Sequence, residues 1–286
     1  MIAVATIAET RARVQAARRS GLSIGLVPTM GALHEGHMAL LHQARQCCGH
    51  VVVSIFVNPT QFRPGEDFER YPRPLQDDLR QCQDAGVDLV FTPDAAEMYG
   101  QAPLTTVTVR DLSAPLCGRF RPGHFDGVCT VVAKLFHVVA PDLAFFGEKD
   151  YQQLTLVRRM AADLNMPIEI VACPTVREQD GLAISSRNRY LSPPQRRQAA
   201  CLYRAMREAA DAAADGQTDA GNLCEAMRRR ILDAGPADID YVSIVDPDTL
   251  ADVARVDRPV RICLAVRIGG CRLIDNLAVD VGTPRR

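Results

Sequence analysis

The stretch LVPTMGALHEGHMALLHQA (Leu26–Ala44) changes character partway along. Its left end closes SIGLVPT, a short apolar run stopped by proline, which reads as a buried strand. Its right end opens HMALLHQARQCC, whose apolar residues fall at helical spacing. Between them lie a Thr29-Met30-Gly31 turn and two histidines, His34 and His37, three residues apart. Residues three apart on a helix share one face. The two imidazoles therefore point together from the first helical turn, beside backbone N–H groups that lack helical partners and the positive end of the helix dipole. Such a helix start attracts anions before any side chain helps. Gly31 and Gly36 remove side chains where a ligand would come close. The physical reading is a nucleotide site whose imidazoles donate to phosphate oxygens. Two blander readings stay open: a pair of surface histidines, or a metal pair. The latter is weakened because helical metal histidines usually sit four apart.

The same strand-to-helix change recurs outward from this stretch. HVVVSIFVNP is nearly all apolar and β-branched, as in a strand covered on both faces. PLQDDLRQCQDAG reads as a helix closed by glycine, VDLVFTP as a strand, and TTVTVRDL as a short extra strand. FDGVCTVVAKLFHVVA reads as a long apolar helix, DLAFFG as a strand, KDYQQLTLVRRMAADLN as a helix and PIEIVACPTV as a strand. This alternation predicts an α/β fold, an open parallel sheet wrapped by helices, with ligands at the carboxyl ends of its strands. After about Ser192 the pattern changes. PPQRRQAACLYRAMREAADAAADG and AGNLCEAMRRRILDAG are helical, whereas DIDYVSIVDPDTL, PVRICLAVRI and CRLIDNLAV are strand-like. Helices followed by strands predict a separate, smaller C-terminal α+β domain, and the last residues, GTPRR, a frayed tail.

Composition bounds the function. The 286 residues can bury a sizeable core, and 47% apolar with 23% charged is ordinary for a globular protein. With 33 basic and 34 acidic side chains the net charge is −1, which argues against a dedicated nucleic-acid binder. No run reaches the ~18 apolar residues of a membrane span. The N-terminus puts its apolar residues before its arginines, the wrong order for a secretory signal, so a cytoplasmic protein is expected. The ten cysteines are scattered without a Cys-x-x-Cys pair and read as reduced, small apolar residues.

Three further segments place polar groups where a crevice needs them. FVNPTQF (Phe56–Phe62) runs from a strand into a proline turn, with Asn58 and Gln61 at the strand's carboxyl end. FFGEKDYQQL (Phe145–Leu154) repeats that geometry with Gly147, Glu148, Lys149 and Asp150, and a lysine there suits phosphate. REQDGLAISSRNRYLS (Arg177–Ser192) brings two serines and an arginine into a polar loop. Each alone reads as a solvated loop; together they read as an active-site crevice.

The segments PTMGALHEGH, SIFVNPTQF, YPR, RPGHFDGV, FFGEKDYQQL and PTVREQDGLAISSRNRYL, with their spacing, closely resemble the pantoate–β-alanine ligase family. This family lies within the nucleotidylyltransferase superfamily and is related in fold to class I aminoacyl-tRNA synthetases. The matching motifs span residues 28–191 and agree throughout. Met38 stands where many relatives have a small polar residue. The resemblance implies a Rossmann-like ATP- and pantoate-binding domain over 1–176, and a smaller C-terminal domain over 177–286 that closes over the active site. It implies condensation of (R)-pantoate with β-alanine and ATP to pantothenate, AMP and pyrophosphate through a pantoyl-adenylate.

Residue roles follow by the same resemblance. Met30, Gly31, Ala32, Leu33, His34, Glu35, Gly36 and His37 would line the ATP site, with His34 and His37 on the phosphates. Gly147, Glu148, Lys149, Asp150 and Val176 would hold the nucleoside, Lys149 also reaching phosphate. Ile184, Ser185, Ser186 and Arg187 would form a mobile phosphate-gripping loop. Gln61 and Gln153, with Asn58, would hold pantoate, Gln61 also lying near the β-alanine site. His37, His34, Lys149 and Arg187 would carry the catalysis. Mg²⁺ would sit near Asp77, Asp78 and Gln81, although ATP phosphates supply most ligands to such an ion. A homodimer is carried over from the family. The competing expectations are another nucleotidylyltransferase of the superfamily, and a nucleotide-binding regulatory module without chemistry.

Overall fold

A run such as His50–Ile55, with four of its six residues buried, needs cover on both faces and strand partners on both edges. It has them in the computed structural model, which describes residues 1–101 and 103–280. The tail expected to fray, Gly282–Arg286, lies outside the described residues. In chain order the elements begin β1 (Ile2–Val4), α1 (Ile7–Arg19), β2 (Ile24–Thr29), α2 (Glu35–Cys47), β3 (His50–Ile55), α3 (Leu75–Asp84), β4 (Leu89–Phe91), α4 (Ala95–Tyr99) and α5 (Cys117–Phe120). They continue α6 (His124–Val139), β5 (Leu143–Gly147), α7 (Tyr151–Asp163), β6 (Glu169–Cys173), α8 (Pro193–Ala199), α9 (Cys201–Ala214), α10 (Ala220–Asp233), β7 (Asp238–Val245), β8 (Val260–Ile268) and β9 (Cys271–Val279). The chain divides into two compact units. The first is Met1–Ser113, Arg121–Glu148 and Gln153–Pro174; the second is Ala114–Phe120, Lys149–Gln152 and Thr175 onwards.

The first unit holds a six-stranded parallel sheet in the order β1-β4-β3-β2-β5-β6. The chain builds outward from β2 on one side and then returns to build outward on the other. The strand order therefore reverses between β2 and β5, which is where open α/β sheets bind ligands. The pairing itself opens a gap there. β2 is in register with β3 from Ile24↔His50 to Thr29↔Ile55, but with β5 only at Gly25↔Leu143 and Leu26↔Ala144. Pro28, which has no N–H to give a ladder, lies on the part of β2 beyond that pairing. Leu40, Leu41 and Ala44 of α2 pack with Val51, Val53, Val90 and Phe145 of the sheet.

Residues 105–112, expected as an extra strand, are a loop. Of these residues only Val109 is buried, and the Val107 N–H donates to the Thr130 hydroxyl on α6 at 2.9 Å instead of to a ladder. β-Branched composition without a partner edge does not make a strand. The ten cysteines are all described and none is in a disulfide. Burial pushes the thiols of Cys82 and Cys129 up to about 12, which keeps them unreactive. Among the described residues no helix is long and apolar enough to cross a membrane.

The second unit is a three-stranded antiparallel sheet, β7-β8-β9, covered by α9 and α10. Leu202 and Met206 of α9, Met227 and Ile231 of α10, and Ile262, Leu264 and Val266 of β8 form its core. The single helix expected from Pro193 is interrupted at Ala200, giving α8 and α9; Ala200 keeps helical angles (φ −62°, ψ −17°), so the break is one residue of hydrogen bonding. Arg177 ties the incoming segment to the sheet. It grips Asp275 of β9 with two bonds of 2.6 and 2.9 Å, and its guanidinium lies 4.1 Å from the centre of the Tyr203 ring. Gly181, with φ +93°, completes the turn; a Cβ there would run into that ring. Asp275 is 5% exposed, and burial holds its carboxyl above the ordinary carboxylate range, a rise that Arg177 limits.

Arg177→Met leaves the Asp275 charge buried without its cation, which is expected to cost about 3–5 kcal/mol. Urea unfolding should show the loss, and Arg177→Met/Asp275→Leu should recover most of it. Equal destabilisation by the single and double variants would refute the ion pair's role.

Candidate functional site

The chain leaves β2 through two consecutive left-handed residues, Gly31 (φ +77°) and Ala32 (φ +52°). Such angles are rare for alanine and need an external hold. Asp78 of α3 supplies it. Its Oδ2 accepts the Ala32 N–H at 2.9 Å and its Oδ1 accepts the Leu33 N–H at 2.8 Å. The carboxylate is 1% exposed. Thr29 holds the other end, donating its hydroxyl to the Ser54 carbonyl (2.9 Å) and accepting the Gly31 N–H (3.1 Å). A Cβ on Gly31 would lie 2.9 Å from the Asp78 carboxylate, so this glycine makes room for protein.

α2 begins at Glu35, one residue later than the imidazole pair requires if both are to sit in its first turn. His34 is the extended N-cap residue (φ −149°, ψ 175°). The two rings nevertheless meet, centroids 4.1 Å apart and tilted by 33°, so they do share one face. A Cβ on Gly36 would come 3.0 Å from the His34 ring, so this glycine too accommodates a side chain of the protein. Glu35 stands in the first turn of the helix. Met30 to His37 thus form one strap at the carboxyl end of β2. Gly147 ends β5 and Glu148 follows it across the gap, in the same unit.

Gln61 ends the 3-10 turn Pro59–Gln61 that follows β3. Asn58 caps this turn and is wholly buried. Its Oδ1 accepts from the Thr60 N–H (3.3 Å), the Thr60 hydroxyl (2.9 Å) and the Tyr99 hydroxyl (2.7 Å), and its Nδ2 donates to the Gly127 carbonyl (3.2 Å). Those four bonds make Asn58 the brace of the turn that presents Gln61. Burial raises the Tyr99 hydroxyl, so it remains a donor. Gly127 lets α6 touch this turn, since a Cβ there would collide with the Thr60 carbonyl. Gln153 is half-buried on α7.

In the second unit the Lys149 ammonium lies 3.8 Å from the Asp150 carboxylate, and the Lys149 carbonyl accepts from Asn276 at 2.9 Å. The Ile184 N–H donates to the Val176 carbonyl at 3.0 Å, which brings those two expected site residues side by side. Ser185 caps the 3-10 turn Ser186–Tyr190 by accepting the Arg187 N–H at 3.3 Å; Ser186 is 8% exposed. Asn188 donates to the Ala183 carbonyl (3.0 Å), and Arg196 clamps Glu178 and Asp180 at the loop's base.

Asp77, Asp78 and Gln81 do not fit a resident Mg²⁺ site. Both oxygens of Asp78 hold the strap, and Asp77 is exposed and paired with Arg80. Among the described residues no cluster of His, Cys, Asp or Glu suits a metal ion. The motif YPRPLQDDL carried the signal for Asp78, but spacing does not tell a metal ligand from a backbone anchor.

The family described as pantoate-beta-alanine ligase matches residues 2–278. The pantothenate synthetase of Moorella thermoacetica is 53% identical over 276 residues, 96% of this chain and 98% of that protein. That of Acetivibrio thermocellus is 48% identical over 98% of this chain and 100% of its own length. Among solved structures, pantothenate synthetase from Thermus thermophilus superposes with a TM-score of 0.92 at 48% identity, covering 98% of this chain and all of that one. The Francisella tularensis pantoate-beta-alanine ligase, complexed with beta-gamma ATP and beta-alanine, gives 0.83 at 34% identity, over 99% of each chain.

Asp78→Ala leaves two buried N–H groups without an acceptor and is expected to destabilise the protein by about 2 kcal/mol or more without nucleotide or metal present. Denaturant titration measures it. A metal ligand would instead leave that stability unchanged and raise only the Mg²⁺ requirement.

Proposed function

The chain belongs to the pantoate–β-alanine ligase family, and on that premise we propose how its own residues carry the reaction. It is an ATP-dependent ligase joining pantoate to β-alanine to form pantothenate. We read the reaction as two steps: (R)-pantoate and ATP give a pantoyl-adenylate and pyrophosphate, then the amine of β-alanine displaces AMP. The observation that carries this reading is the stacked pair His34 and His37, at the start of α2 where the strand order reverses. Two imidazoles and the N–H groups of a helix start form a donor cluster suited to phosphate oxygens.

As the pantoate carboxylate attacks the α-phosphorus, negative charge grows on the phosphate oxygens and on the departing pyrophosphate. Donors fixed beforehand stabilise that charge without reorganising. In this reading His34 and His37 donate to the phosphates, Lys149 reaches them as a cation, and Ser185, Ser186 and Arg187 steady the pyrophosphate. Met30, Gly31, Ala32, Leu33, Glu35 and Gly36 form the strap beneath the nucleotide; Gly147, Glu148, Asp150 and Val176 contact the nucleoside, and Ile184 belongs to the phosphate-gripping loop with Ser185, Ser186 and Arg187. Gln61 and Gln153, with Asn58, orient pantoate, and orientation at the α-phosphorus supplies much of the rate. Mg²⁺ enters as Mg-ATP, part of the substrate. No covalent enzyme intermediate is required. Residues 1–176 carry the ATP and pantoate contacts and residues 177–286 the phosphate loop. A homodimer in the cytoplasm completes the proposal.

The route is tested by isotope. Pantoate labelled with heavy oxygen in its carboxylate should pass one label into AMP; label in orthophosphate with ADP as co-product would overturn it. His37→Ala and Lys149→Ala should each slow adenylation by on the order of 100-fold. Near-normal turnover with only a raised ATP KM would show that the residue merely binds.

A further inference from the structure

The motif Arg121-Pro-Gly-His124 takes no part in the reaction as described above, yet its two charged or polar side chains converge on one atom of the site. The Gln61 carbonyl accepts from His124 Nδ1 at 2.8 Å and from an Arg121 terminal nitrogen at 3.0 Å. Arg121 is itself held. Its Nε and the same terminal nitrogen grip the two oxygens of Glu66 at 2.9 and 2.5 Å, and its other terminal nitrogen meets His124 Nε2 at 3.0 Å. The Arg121 side chain is 13% exposed and that of Glu66 25%. Burial raises the Glu66 carboxyl, but the bonds and charge of Arg121 outweigh it and hold it below the usual carboxylate range.

The partners dictate the state of His124. A carbonyl only accepts, so Nδ1 carries hydrogen; a guanidinium only donates, so Nε2 offers its lone pair. The neutral Nδ1–H form alone satisfies both. The Gln61 N–H is fixed as well, donating to the Asn58 carbonyl at 3.2 Å. With both backbone groups of Gln61 tied, only its side-chain torsions remain to set the amide.

We propose that Glu66, Arg121 and His124 form a positioning knot that fixes the backbone of Gln61, and so aims its amide at pantoate. This rests on the reading of Gln61 as a pantoate contact. None of the three is a catalytic residue; they act through Gln61. A misplacement of the order of 1 Å in such a contact can cost about 100-fold. The knot therefore governs the pantoate and β-alanine steps and leaves ATP binding alone.

The test uses the full chain and the KM of each substrate. His124→Asn keeps an N–H donor where Nδ1 stands, whereas His124→Gln places its amide near Nε2 and leaves the carbonyl one donor short. His124→Gln and Arg121→Lys should raise the pantoate KM about tenfold or more, with the ATP KM within about twofold of the parent. His124→Asn should stay within about threefold of the parent. Glu66→Gln, a gentler change that keeps an acceptor for Arg121, should fall between. Equal behaviour of the Asn and Gln variants, or pantoate and ATP constants rising together, would overturn the knot. Gln61→Ala separates the layers. If it raises the pantoate KM while the knot variants do not, the knot fails alone; if it changes nothing, the reading of Gln61 fails and the knot with it.

Discussion

The carboxylate of Asp78 is the constraint from which the first unit's site is built. A strand entering a helix normally turns through residues that tolerate left-handed angles, and here one of the two is an alanine. Without an acceptor for the N–H groups of Ala32 and Leu33 that conformation has nothing to hold it. With Asp78 in place the strap is set, Leu33 turns into the core, and α2 starts where the rings of His34 and His37 meet. Gly31 is required by the same carboxylate, since any Cβ would crowd it. An acidic residue in the first turn of α3 thereby arranges the donors at the head of α2.

The sheet does the complementary work. β2 and β5 part after two paired residues, so the carboxyl ends of both open onto the point where strand order reverses. The donors collected there are fixed by the fold: a helix start and imidazoles held by stacking. Gln61, on the turn after β3, is held by a separate set of buried polar groups. The chemistry of adenyl transfer asks for little more than such preorganised charge and orientation.

Much of this was legible in the sequence, for identifiable reasons. Long apolar runs such as that of β3 and glycine-closed helices such as α3 announce an α/β sheet, and the HEGH string marks the strap. What stayed hidden were features set by partners distant in the chain. TTVTVRDL has strand composition but no edge to join. Asn58 is braced by Tyr99 and Gly127, partners that its local motif does not show. Asp78 has the look of a metal ligand, and only the positions of two N–H groups more than forty residues away reveal it as an anchor. His124 and Arg121 were visible as a motif, but their convergence on one carbonyl is a fact of three dimensions.

In the proposed reaction an acyl-adenylate is built on these fixed donors before the amine is needed. Rapid-quench measurement of pyrophosphate from enzyme in excess over Mg-ATP, with pantoate present and β-alanine absent, tests it most directly. Prompt release of close to one pyrophosphate per ATP bound is expected, with pantothenate appearing only once β-alanine is added. Pyrophosphate that forms only after β-alanine arrives would contradict it.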